Sequence, residues 1–356
     1  MKQPALGIVS SVLVMAISLG FVSLFAFPMF AGWVAYLLIC FIPMEIVIGI
    51  TWGCKNPGFA ARRKQPVKGA LLALLALAVG AIVAAVHHRT VGGSISPPAP
   101  MLAMCMIISV LTTFWLAIMW GGWPFTKVIK SPLAAGLTML VAAYAINYLI
   151  FRVFFNYSFM NVPAFAALDP HGLFNAWNAL VFYLTVIGVM FFDLNFDLWP
   201  FTKFPKVMAQ PALGIVWSIS ALIFGGLVFY IGVGLLGMDA VAFMVKVPIP
   251  FIFGTIIVLN MLQGSLFAKF TQPLKGLLNF IASAVIGSVL ALIYGALAPV
   301  TTGTVNPGPP TYDYEIWLAS ALLAVTFPFL IFYAEFFQFW PLRKAEQANA
   351  ASAGHA

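Results

Sequence analysis

The chain has 356 residues, 63% of them hydrophobic and 7% charged, with a formal net charge of +8. Soluble domains carry about 25% charged residues, so this composition excludes a water-soluble fold and makes lipid the main solvent of the exterior. The basic residues sit in short connectors between apolar runs, not on a polar domain, which excludes a nucleic-acid surface.

Ten apolar runs follow in chain order, at 5–27, 31–53, 67–87, 101–121, 132–151, 172–193, 211–236, 249–268, 274–297 and 316–340. Each has about the length that a hydrocarbon core requires. In lipid a continuous run satisfies its own backbone hydrogen bonds only as a helix. The expected fold is therefore an all-α polytopic membrane bundle of ten transmembrane helices, one unit over 1–344 with a disordered tail at 345–356. The first run follows a single lysine, as a secretory leader would. Gln3–Val9 recurs unchanged as Gln210–Val216, so this run is expected to be a helix of the mature chain.

With the N-terminus placed inside, the inner connectors collect Lys2, Lys55, Arg62, Arg63, Lys64, Lys68, Lys127, Lys130, Lys203, Lys206, Lys269, Lys275, Arg343 and Lys344. Only Arg89, Arg152 and Lys246 fall outside. This bias follows the positive-inside rule and predicts cytoplasmic termini in a cell membrane, of the bacterial inner-membrane type.

Each odd-numbered helix opens with a polar residue, a proline and then a glycine: Gln3-Pro4…Gly7, Gln65-Pro66…Gly69, Ser131-Pro132…Gly136, Gln210-Pro211…Gly214 and Gln272-Pro273…Gly276. Proline suits a first helical turn, where its missing N–H leaves no bond unmade. Most even-numbered helices close at the same face on a tryptophan signal: Trp52-Gly53, Trp120-Gly121, Trp199-Pro200 and Trp340-Pro341. The pattern predicts five parallel helical-hairpin repeats, near 1–60, 61–127, 128–205, 206–270 and 271–344. Parallel copies disfavour the inverted-repeat carrier folds. The odd helices carry stripes of small residues, such as Ser283, Gly287, Ala291 and Gly295, which permit close approach. The even ones are bulky and aromatic. The expectation is an interior of odd helices with the even ones facing lipid or partners.

Polar groups inside the apolar runs mark function by default, because each is costly in lipid. Glu45 is the deepest acid, and Glu335 lies five residues before Trp340. Asn147, Asn178, Asn260 and Gln263 add neutral groups. When the copies are registered on their aromatic ends, Asn260 aligns with Glu335, and Gln263 with Asp197 and Gln338. These six residues (Glu45, Asn147, Asn178, Asn260, Gln263 and Glu335) are the candidate substrate or ion pathway. Interhelical hydrogen bonding is the bland alternative. Asp193 and Asp197 are expected to pair with Lys203 or Lys206 at the interface.

Cys40, Cys54 and Cys105 have no paired spacing and read as packing residues. His87 and His88 lie near Met101, Met104, Cys105 and Met106, a set that could suit copper(I), although methionine is common in apolar helices. Haem is unsupported, since no histidine lies mid-helix. The segment 152–171 is long and aromatic, either a fold-back or a docking surface. No nucleotide, metalloprotease or hydrolase motif is present, so neither an enzyme nor a cofactor is expected. The leading expectation is a channel or carrier for a small solute or ion. The alternative is a non-catalytic subunit anchoring a protein partner through the outer loops or the aromatic even helices.

Overall fold

The computed structural model describes residues 1–160 and 166–343. Among them, ten helices are long and apolar enough to cross a membrane. These are α1 (Ala5–Val22), α2 (Phe27–Thr51), α3 (Val67–Thr90), α4 (Pro100–Met119), α5 (Pro132–Phe154), α6 (Ala176–Asn195), α7 (Ala212–Leu235), α8 (Ala240–Met261), α9 (Leu274–Thr302) and α10 (Asp313–Phe336). Two-residue strands, β1 (Phe155–Asn156) and β2 (Phe174–Asn175), pair in parallel between α5 and α6. The protein is thus an all-helical polytopic membrane protein. The expected tail at 345–356 lies outside the described residues.

Most boundaries agree with the apolar runs, but α8 begins nine residues earlier than expected. Asp239 caps it by accepting from the N–H groups of Val241 and Ala242, and Lys246 is held inside the span. A proline pair at Pro248 and Pro250 then restarts the helix after a break at Val247. The sequence reading took Lys246 for a loop residue, because a charge ordinarily ends an apolar run.

The layering is the reverse of that expected. In the most apolar 18-residue stretch of each helix, between 50% and 78% of the residues are buried in the even helices, against 22% to 39% in the odd ones. The even helices form an inner ring in which α2 touches α4, α4 touches α6, α6 touches α8, α8 touches α10, and α10 returns to α2. Each odd helix lies outside this ring and packs on at least two inner helices: α3 on α2 and α10, α5 on α4 and α2, α7 on α6, α4 and α8, α9 on α8, α6 and α10, and α1 on α10 and α8. The physical reason is economical. A small-residue stripe lets an outer helix press one face onto the ring while its large aliphatic side chains meet lipid, and bulky aromatics fill the enclosed centre. On α9 the buried stripe is Gly276, Asn279, Ser283, Gly287, Ala291, Tyr294 and Ala298. There a Cβ on Gly287 would collide with the backbone of Pro250, and one on Gly254 with that of Ser283.

One joint recurs where the outer helices start, at the face that also holds Met1 and Arg343. Gln3, Gln65 and Gln210 each donate through Nε2 to the carbonyl of an inner-helix end: Met261 at 2.9 Å, Phe336 at 2.6 Å and Met119 at 2.9 Å. Their Oε1 atoms accept from the N–H of Gly7, Gly69 and Gly214. The glycine is required because the next inner residue packs there: Leu262, Phe337 and Trp120 occupy the place of the Cβ. Gln272 accepts likewise from Gly276 but donates to the Asp197 carboxylate, and Phe196 covers that glycine. At Ser131 the direction changes, with the Trp52 indole donating to the Pro132 carbonyl at 2.9 Å and lying over Gly136. A buried side-chain hydrogen bond contributes about 0.5–1.5 kcal/mol net. Gln65→Ala, which loses two, is expected to lower stability by about 1–3 kcal/mol, measured as an earlier thermal midpoint in detergent, with the change Arg63→Ala at an exposed position as reference.

All five inner helices end in two consecutive left-handed residues: Gly53-Cys54, Gly121-Gly122, Asp197-Leu198, Gln263-Gly264 and Gln338-Phe339. This turn reverses the chain, and α2, α4, α8 and α10 enter it through a wide π-helical turn. Such turns free backbone carbonyls, and they concentrate at functional sites.

Candidate functional site in the inner ring

Inside the ring, bulky residues project where five helices converge. The Phe114 ring on α4 meets Phe191 on α6 at 5.5 Å between centroids and Phe327 on α10 at 6.0 Å. Since α4 and α10 flank α2 on opposite sides, Phe114 and Phe327 can meet only across the interior. Phe41 on α2 stacks on Phe332 of α10 at 5.5 Å, between adjacent ring members. The three phenylalanines of α4, α6 and α10 form an apolar cluster inside the ring.

Toward the terminal face the lining turns polar. Asn260 on α8 donates through Nδ2 to Glu335 Oε1 on α10 at 3.4 Å. Below it Arg343 reaches the Gln263 side-chain oxygen at 3.5 Å. The Cys54 thiol donates to the Glu335 carbonyl at 3.7 Å. Burial first, and then the Glu335 and Glu45 carboxylates, push that thiol up to about 12 against the opposing Lys68 ammonium. Asn260, Gln263 and Glu335 thus gather at the ends of α8 and α10, with Glu45 and Lys68 near enough to act on the same thiol.

Glu45 lies deeper on α2. It is 1% exposed, and among the described residues neither carboxylate oxygen has a hydrogen-bond partner. A buried polar group left unsatisfied costs about 1–3 kcal/mol, and a charged one more. Glu45→Leu is expected to raise the thermal midpoint by a few degrees. A variant less stable than the parent would show that Glu45 makes a favourable structural bond.

The remaining candidates lie elsewhere. Asn147 on α5 is buried against α4 and donates to the Cys105 thiol at 3.7 Å, its carbonyl oxygen unpartnered among the described residues. Asn178 is exposed near the start of α6, at the opposite face. The two aspartates do not pair with Lys203 or Lys206. Asp193 accepts from the Trp217 indole at 2.6 Å, and Asp197 binds Lys275 at 2.7 Å. Both partners, Trp217 and Lys275, come from the neighbouring outer helices α7 and α9.

Sequence reasoning missed a buried polar knot between α6, α8 and α9. Asn195 donates to the Thr255 hydroxyl at 3.2 Å and accepts from Ser283 at 3.2 Å, while Asn279 donates to the Asn195 carbonyl at 3.4 Å. Ser283 was visible only as a small residue, and the i, i+4 spacing from Asn279 is the signal that could have found it. The aromatic closure had no such signal, because 34 phenylalanines leave no three of them distinguished.

At the opposite face, His88 is engaged by the Ile95 carbonyl at 2.8 Å and His87 lies 3.5 Å from the Tyr36 hydroxyl. Met101, Met104 and Met106 are buried in the core. Among the described residues no group of three histidine, cysteine or acidic side chains is arranged to hold a metal. The described part of segment 152–171 folds back over the bundle end. Tyr157 packs against Phe151 and Phe155, and Asp169 accepts from the N–H groups of Tyr157 and His171. Burial raises the Tyr157 phenol above its ordinary range.

No protein-family model, curated protein or solved structure matches the chain. Its class therefore rests on the fold: a polytopic membrane protein with a closed ring of inner helices.

Proposed function

We propose that the protein is a gated channel or carrier for a small solute or ion, its path running along the axis of the inner ring. The observation that carries this reading is the axial sequence: a polar mouth of Asn260 and Glu335 leading to a constriction of Phe114, Phe191 and Phe327. Hydrophobic constrictions gate by dewetting, and intramembrane polar groups mark solute paths. The five joints at the outer-helix starts and the five two-residue turns support descent from five parallel hairpins. In that arrangement the path sits on the pseudo-symmetry axis, not between inverted halves. The lysine and arginine bias supports an orientation with Met1 and the Asn260–Glu335 pair on the cytoplasmic side of a cell membrane of the bacterial inner-membrane type. The protein acts without a catalytic step.

The alternative, a membrane anchor for a partner, draws on the fold-back at 152–171, whose aromatic surface includes the exposed Phe159. The aromatic even helices no longer serve that reading, since their bulk faces inward. Purified protein in liposomes separates the two. A transporter passes small polar solutes or ions down a gradient, with Glu335→Gln altering the rate. Absence of flux for every solute class, together with stoichiometric recovery of a protein partner in mild detergent, would establish the anchor instead.

A further inference from the structure

A second feature lies outside the axial path. A slot of about 850 Å³ runs along the outer wall of α4, bounded by the outer helices α5 and α7 and by the start of α6. It follows α5 from Ile146 to Phe154 and α4 from Thr112 to Trp120. The first stretch lies in the half of the membrane near β1 and the second in the half near the termini. At 1.5 Å per residue the two stretches together extend about 25 Å, close to the roughly 30 Å of a hydrocarbon core. Phe154, Phe174 and Leu222 line it and are themselves exposed. The opening therefore faces lipid tails.

The lining defines what fits. It contains no charged residue, and its walls are aromatic, with Trp115 and Trp120 on α4 and Phe174 and Phe229 opposite. The hydroxyl pair inside is already satisfied: Thr112 donates to the Ile108 carbonyl at 2.8 Å, which leaves its oxygen to accept from Tyr183 at 3.2 Å. Free hydrogen-bonding capacity sits at the β1 end. There the Asn175 oxygen is spent on the N–H groups of Trp177 and Asn178, and among the described residues no partner takes its amide donor or the Asn178 side chain. A single acyl chain reaches through only one leaflet, half this length. A charged headgroup would find no counter-ion.

We propose that this slot binds an isoprenoid quinone, its tail along α4 and its ring against Phe154 and Phe174, where the amides of Asn175 and Asn178 donate to a ring carbonyl. Phe154 and Phe174 already stack at 6.1 Å with 5° between their planes, the kind of flat surface a quinone ring would join. The site is separate from the axial path and does not rest on the transport reading.

The test titrates the purified full-length protein in detergent with a long-tailed isoprenoid quinone and follows tryptophan fluorescence, which quinones quench. Saturable quenching is expected, with at least tenfold weaker binding in Ala179→Trp, which fills the slot, and in Asn178→Leu, which removes a donor from an exposed position. The double change Trp115→Phe and Trp120→Phe is expected to remove most of the saturable signal. Organic extraction of protein from native membranes should also yield quinone near one per chain. Linear, unsaturable quenching that is the same in all variants would overturn the proposal. So would extraction of phospholipid alone, which would make the slot an annular lipid site.

Discussion

Replacing Phe114 by alanine is expected to raise passive flux through the reconstituted protein at least tenfold. The Phe114 ring joins Phe191 to Phe327 across the ring interior, so on the proposed path its removal would open this apolar cluster to water. Truncating a buried phenylalanine costs about 3–5 kcal/mol of packing, and the inner ring must retain its fold despite that loss. Phe114→Leu separates the two effects, since it keeps most of the volume and should give a smaller rise in flux with near-parental stability. Phe224→Ala on the lipid face of α7, where the side chain is exposed, serves as the reference and should leave flux unchanged. Equal flux in the parent and in Phe114→Ala, with both folded, would remove the closure from the transport path.

The second large effect concerns assembly. Gly287→Leu is expected to eliminate folded protein, read as loss of the monodisperse species on size exclusion after detergent extraction. Around Gly287 and Gly254 the backbones of α8 and α9 are in contact, and a side chain on either glycine would collide with main-chain atoms that cannot rotate away. Overpacking of flexible cores costs about 1–3 kcal/mol, and a clash with rigid helix backbone exceeds that. Leu292→Ala, on the lipid-facing side of the same helix, should be extracted like the parent. Normal folding of Gly287→Leu would mean that α9 packs less closely on the ring than described.

The number and position of the spans were legible because a bilayer imposes a length, and because charge ends an apolar run. The exception, α8, shows the limit of that signal: Lys246 near a helix end can extend toward the interface, so a charge there does not end the span. The joints at the outer-helix starts were half legible. The Gln-Pro…Gly spacing was visible, and its meaning was not, since the partner carbonyls of Met261, Phe336 and Met119 are 258, 271 and 91 residues away. Which layer is inside was misread for a definite reason. Small-residue stripes show where a helix is closely approached on one face, whereas burial depends on all faces. Of the candidate site, the alignment of Asn260 with Glu335 pointed to one depth, and the structure joins the two residues directly. Glu45 stood out as costly, but that it lacks a partner among the described residues could be read only from the surrounding helices. Asn178 was chosen for polarity alone, and its place at the opposite face reflects an interfacial residue, for which polarity carries little information.

The most direct measurement is thiol accessibility from the terminal face in a chain whose Cys40, Cys54 and Cys105 are replaced. Single cysteines are introduced as Asn260→Cys and Glu335→Cys on the near side of the aromatic closure. Ile252→Cys is placed eight residues, about 12 Å, deeper along α8. A membrane-impermeant reagent should modify the first two and spare Ile252→Cys until Phe114 is also changed to alanine. If Ile252→Cys reacts as readily as the others in the parent background, or if neither Asn260→Cys nor Glu335→Cys reacts, the inner ring does not enclose a water-filled mouth closed by Phe114, Phe191 and Phe327.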